Sequence, residues 1–266
     1  MSFKHVFAQG VIGFKVALQY RFNFVITMIT APLSVLIYYF LWKAIYAYTQ
    51  QEVIRGFTLP SLIQYYVLSM IVGFFAWCEI DKWMSQDIRR GHIITMFIAP
   101  MSFLLQHLSF EIGVNALAIV LEMIPVFAIG IVFFGLEIAS AFNIITFLVS
   151  VALGFFITFF VAYFLGLTAF WFKEITGLRR VRRTLVVFLS GGMIPLSFFP
   201  STLQKISHFL PFEYIRYVPI KIYLGDYSTL MVLGQLGLQI AWIAALFIFT
   251  KWFFQKAYKQ FTGAGV

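Results

Sequence analysis

The residues able to do chemistry are few, because only 11% of the 266-residue chain is charged. The densest group is Glu79, Asp81, Lys82, Asp87, Arg89, Arg90, Gly91 and His92, where both signs of charge fall within fourteen positions. Mixed charge on a short amphipathic helix suits docking against a protein partner, since setting membrane orientation requires only the basic residues. A second group, Arg179, Arg180, Arg182 and Arg183, is basic throughout and suits lipid headgroups and orientation, with a gate as the alternative. Glu122 stands by itself inside an apolar run, where an ionised carboxylate must face protein or water. It reads equally as a group on a substrate path, pairing with a cationic substrate, and as a hydrogen-bonded helix contact. Glu111 lies nearer the edge of the same run and belongs to the interface. Gly191, Gly192, Pro195 and Pro200 would break a helix, as a hinge on a path or as a turn.

No catalytic constellation accompanies these groups. His5, His92, His107 and His208 are dispersed, and the sequence has no His-Glu-x-x-His metal motif and no Gly-rich loop ending in Gly-Lys-Ser or Gly-Lys-Thr to cradle phosphates. The single cysteine, Cys78, permits no internal disulfide. The expectation is a non-catalytic chain that binds no cofactor of its own.

The elements that must position these residues follow from hydropathy. With 62% hydrophobic residues the chain cannot build a water-facing surface, and its length is counted in spans of about 20 apolar residues each. The sequence predicts an all-α membrane protein forming one domain over 1–266. An amphipathic interfacial helix over 1–21 carries Phe3, Phe7, Val11, Phe14 and Leu18 at helical spacing. Six spans follow at about 22–42, 61–78, 112–134, 138–172, 184–204 and 227–250. The fourth is one long or tilted helix, the fifth is broken, and short helices dip into the outer interface before the sixth. The segment 79–92 links spans two and three.

The net charge of +9 does not imply nucleic acid, because the basic residues sit beside apolar runs. Fourteen Lys and Arg fall on the terminal segments, 79–92 and 173–183, against five on the alternate loops. That bias predicts cytoplasmic termini.

Topology alone does not choose among transporters, channels and membrane enzymes. Three stretches do: YRFNF at Tyr20–Phe24, DIRRGHIITMFIAPMSFLLQHL at Asp87–Leu108, and the region Ala169–Gly225 with its spaced SGG, IPLSFFP, LPF and IYLG elements. On these the chain resembles the membrane (permease) subunits of type-2 ABC exporters, within a subgroup of bacterial permeases that often work as unlike pairs. The resemblance implies a multi-pass protein of the bacterial cytoplasmic (inner) membrane, with 79–92 as the cytoplasmic coupling helix. It implies a separate cytoplasmic ATP-binding subunit carrying ATP and Mg, and a second permease subunit, giving a heterodimer or alternatively a homodimer. The expected function is ATP-driven export of an amphipathic or hydrophobic substrate such as a drug, peptide, lipid or glycan. The alternatives are a channel or uptake permease, a membrane-embedded enzyme and a structural anchor.

Overall fold

An apolar chain inside a bilayer can satisfy its backbone amides and carbonyls by forming helices. The computed structural model describes residues 3–19, 21–172 and 174–263, without the side chains of 3, 21, 23–25 and 261–263, and these residues form no β-strand. Tyr20 of the first motif and Lys173 of the basic run therefore lie outside the described residues. The α-helices are α1 (Phe3–Gln19), α2 (Arg21–Thr49), α3 (Leu59–Phe75), α4 (Ile80–Arg90), α5 (Ile93–Ile98), α6 (Phe103–Ala118), α7 (Ile124–Phe134), α8 (Ala141–Leu167), α9 (Thr176–Leu189), α10 (Ser201–His208), α11 (Tyr217–Tyr223) and α12 (Thr229–Gly263).

Among the described residues, five helical stretches are long and apolar enough to cross a membrane: Ile26–Thr49, Leu59–Arg90, Phe103–Phe134, Ala141–Phe170 and Thr229–Gln260. The chain is a multi-pass membrane protein. The second stretch is interrupted by a turn before α4. The third joins α6 to α7 through a π-helical turn at Ile119–Met123. Pro125 follows that turn directly; it cannot donate a backbone hydrogen bond, and its ring crowds the carbonyl four residues back, so a widened turn keeps the helix continuous.

The expected broken fifth span over 184–204 is not among these five stretches. α9 begins earlier, in the basic cluster, and ends at Leu189. Its 14 residues rise about 21 Å, short of the roughly 30 Å of hydrocarbon. Gly191 adopts a left-handed φ of 80°, a conformation open to glycine without a Cβ clash, and this turns the chain out of the helix. A 3-10 turn at Leu196–Phe198, α10, a second 3-10 turn at Pro211–Ile215 and α11 then return it to α12.

Among the described residues, two buried apolar clusters fill the bundle. One joins α2, α3, α8 and α11 through Trp42, Tyr65, Tyr66, Phe147 and Tyr223. The other lies at the end bearing the basic residues and holds Met84 of α4, Phe103 of α6, Tyr163 of α8 and Ala257 of α12. At that end α1 crosses α6 with backbones touching: a Cβ at Gly13 would strike the Phe110 carbonyl, and one at Gly113 the Gly10 carbonyl. Small residues at a crossing give membrane helices this proximity.

Candidate functional site

The acidic and basic clusters, read separately in the sequence, face each other. Asp81, in the first turn of α4, is fully buried, and its Oδ2 accepts a hydrogen bond of 2.9 Å from Nε of Arg182 on α9. Arg182 also donates to the Cys78 carbonyl at 3.0 Å, and Nε of Arg179 lies 3.7 Å from the other Asp81 oxygen. Glu79, just before α4, pairs with Arg183 of α9 and, at 3.4 Å, with Lys82 of α4. The Arg183 guanidinium also lies over the Trp77 ring, 4.8 Å from its centroid. Three of the four arginines in the basic run are thus committed to α4 and the turn before it; Arg180 is exposed.

α4 is held from the other side by α8, where Gly166 leaves room for Met84 and the Asp81 backbone. Its far end is more exposed. Arg89, Arg90, Gly91 and His92 are exposed, with Gly91 ending the helix in the left-handed conformation. Arg89 reaches Glu174 at 2.5 Å, in the loop before α9, and His92 lies 3.8 Å from Asp87. Glu174 receives the Thr176 hydroxyl and, at 3.0 Å, the Thr176 amide, which hold its carboxyl below the ordinary glutamate value. The eight residues singled out between 79 and 92 therefore divide in two. Glu79, Asp81 and Lys82 anchor α4, while Asp87, Arg89, Arg90, Gly91 and His92 form its projecting end.

The far end of α9 meets a polar knot. Gly191 accepts a hydrogen bond from the Tyr65 hydroxyl at 2.8 Å, and Ser190 from the Tyr217 amide at 3.1 Å. Arg216 donates to the Ser69 carbonyl at 3.0 Å, and its guanidinium occupies the space that a side chain at Gly73 would need. Gln239 of α12 donates to the carbonyls of Ser150 and Tyr214, at 3.0 and 2.8 Å, tying α8 and the second 3-10 turn to the last helix. Such amides serve where no water is present to satisfy a freed carbonyl. Pro195 is buried and opens the first 3-10 turn.

Glu122 lies elsewhere, in the π turn, facing a cavity of about 410 Å³ bounded by α1, α2, α3, α4 and α6. Glu79 and Glu111 line the same cavity. The residues read as parts of a substrate path are thus divided, with Glu122 at the cavity and Gly191, Gly192 and Pro195 in the packed knot. Arg216, Gln239 and the full burial of Glu111 were not picked out in the sequence. One of the two amides, Gln235 and Gln239, in the largely apolar 227–250 run was the available signal for Gln239, and a lone arginine between Pro211 and Pro219 the one for Arg216.

The family model described as ABC-2 family transporter protein matches residues 19–265, which takes in every element from α2 onward. No curated protein matches the chain significantly. The motif order, the long apolar helices and a family match over nearly the whole sequence converge, and the chain belongs to the ABC-2 family of transporter proteins, as a permease subunit.

Proposed function

We propose that the chain is the transmembrane subunit of an ATP-driven exporter, with the basic end of the bundle in the cytoplasm and α4 as the element that receives motion from a separate ATP-binding subunit. ABC-2 permeases work with such a partner. The observation that carries the reading is the ion-pair lock between α4 and α9, Asp81 with Arg182 and Arg179, and Glu79 with Arg183. A push on the projecting end of α4 moves a helix that cannot slide on α9 without breaking buried charge pairs, which is costly. α9 in turn ends on the Gly191 turn against α3, so displacement at the cytoplasmic face reaches the interior of the bundle through hydrogen-bonded contacts.

The direction is export because the cavity flanked by Glu79, Glu111 and Glu122 lies toward the basic end, where a substrate dissolved in the inner leaflet would enter. α1 lies along that interface, its apolar residues Phe7, Ile12 and Leu18 exposed to lipid. A second permease subunit completes the pathway. α9 is too short to span lipid and carries an exposed apolar row at Leu178, Val181, Leu185 and Phe188, followed by the non-helical Met193 and Ile194. Non-helical backbone at membrane depth is tolerated against protein or a water-filled path, and a like or unlike partner supplies that neighbour. ATP and Mg reside on the ATP-binding subunit, and the setting is a bacterial cytoplasmic membrane with both termini inside.

The test is reconstitution of the permease pair with its ATP-binding subunit, comparing the original chain with the combined Asp87→Ala, Arg89→Ala, Arg90→Ala variant. These positions lie on the projecting end, so the variant folds within about 0.5 kcal/mol of the original. It is expected to lose assembly or stimulated ATP hydrolysis; unchanged hydrolysis and transport would remove α4 from the coupling route.

A further inference from the structure

The cavity beside α1 has the make-up of a site for an organic cation. Glu111 is 1% exposed; its Oε1 accepts the Glu79 amide at 2.8 Å, and its Oε2 is buried with no hydrogen-bond partner among the described residues. Glu122 lines the same space from the π turn, a helix irregularity that often marks functional positions. Eleven residues separate the two, about 16 Å along a helix, so the slot runs from the inner interface toward the bilayer centre with a carboxylate at each level.

Charge in this space is unbalanced. Glu79 is matched by Lys82 and Arg183, whereas neither Glu111 nor Glu122 has an ion-pair partner among the described residues. Between them the wall is apolar and aromatic, with Phe74, Trp77 and Trp83. The faces of these rings already attract the chain's own cations: Lys82 lies 5.3 Å from the Trp83 centroid, and Arg183 stacks on Trp77. Two carboxylates this far apart cannot share one metal ion, and no cluster of three metal-ligating side chains occurs among the described residues. An ammonium or phosphonium carried on an apolar body meets one carboxylate at a time with its charge and the walls with its body, and about 410 Å³ falls within the range of small-molecule pockets.

From these observations we infer that the cavity between α1, α2, α3, α4 and α6 is a loading site for amphiphilic organic cations, with Glu111 and Glu122 as the charge-reading residues. This assignment rests on the export reading for its purpose but not for its binding chemistry. Two sources offer that chemistry, a free lipophilic cation and the ammonium headgroup of a membrane lipid.

The experiment measures saturable binding of radiolabelled tetraphenylphosphonium to the full chain in phosphatidylglycerol nanodiscs, without the ATP-binding subunit. The original chain is expected to bind the probe, and the Glu111→Gln, Glu122→Gln double variant to bind at least tenfold more weakly. Glu122→Gln alone should fall between them, and Glu137→Gln, outside the cavity, should match the original. Replacing part of the lipid with phosphatidylethanolamine separates the sources: competition assigns the site to an aminolipid headgroup, and undiminished binding to free cations. Equal binding by original and double variant, equal uptake of the anion tetraphenylborate, or no saturable binding would overturn the inference. A chain that drives stimulated ATP hydrolysis with its partner yet binds no tetraphenylphosphonium retains the export reading and loses this one; the reverse result loses only the export reading.

Discussion

Removing the carboxylate of Asp81 should be the most damaging single change in the basic half of the molecule. Its side chain is fully buried and that of Arg182 is 8% exposed, with 2.9 Å between Nε and Oδ2. Asp81→Ala leaves Arg182 with the Cys78 carbonyl as its remaining hydrogen-bond partner and removes the only carboxylate paired with Arg179 among the described residues. Breaking a buried pair from one side costs about 3–5 kcal/mol, since the surviving charge stays desolvated. On the scale of soluble domains of 150–250 residues this is a fall in midpoint of roughly 6–20 °C. The assay is thermal unfolding of purified protein in detergent, followed by tryptophan fluorescence. Replacing both partners, Asp81→Leu with Arg182→Met, should recover most of the loss, because packed apolar groups often substitute for a buried pair at little cost. Arg180→Ala, at the exposed arginine of α9, should leave the midpoint unmoved. If Asp81→Ala unfolds within about 1 kcal/mol of the original, the pair is wet or unformed and α4 is not locked to α9.

Further outcomes follow from other contacts. Gly113→Leu forces a side chain into the Gly10 backbone at the α1–α6 crossing; a cost of roughly 1–3 kcal/mol is expected, with faster proteolysis inside residues 3–19 as the readout. Gln239→Leu removes the bonds to Ser150 and Tyr214 in the apolar core and should lower stability by about 0.6–1.7 kcal/mol, measured by the same thermal assay. Gly73→Val displaces the Arg216 guanidinium, whose nitrogens would lie within 3 Å of the new Cβ, and should abolish coupled ATP hydrolysis while the chain still assembles with its partner; full hydrolysis would show that the knot can shift freely.

Much of this architecture was readable because bilayer depth imposes a length on apolar runs. The long helices, the interruption of the second stretch at Glu79 and the turn after α9 each have a plain signal in charge, glycine or proline. The start of α9 did not, since Thr184–Gln204 is uncharged throughout and hydropathy places a span there, whereas the helix begins at Thr176 within the basic run. The role of the basic run was also hidden. Arg179, Arg182 and Arg183 look like headgroup ligands in sequence because their acidic partners lie about a hundred positions away, and a tertiary pair leaves no local pattern. Glu111 looked interfacial from its place in the apolar run; its burial depends on how α1, α3 and α4 converge, which spacing along one helix cannot convey.

The central claim is that the projecting end of α4 meets the ATP-binding subunit, and site-specific cross-linking reads that contact directly. Cys78 is the sole cysteine and is buried, so a cysteine placed at Arg90 can be read in the otherwise native chain. With a short bifunctional thiol–amine reagent, Arg90→Cys is expected to join the permease to the ATP-binding subunit, whereas Tyr48→Cys, at the opposite end of α2 and 90% exposed, is not. Cross-linking from Tyr48→Cys and not from Arg90→Cys would place the partner at the other end of the bundle and contradict the account.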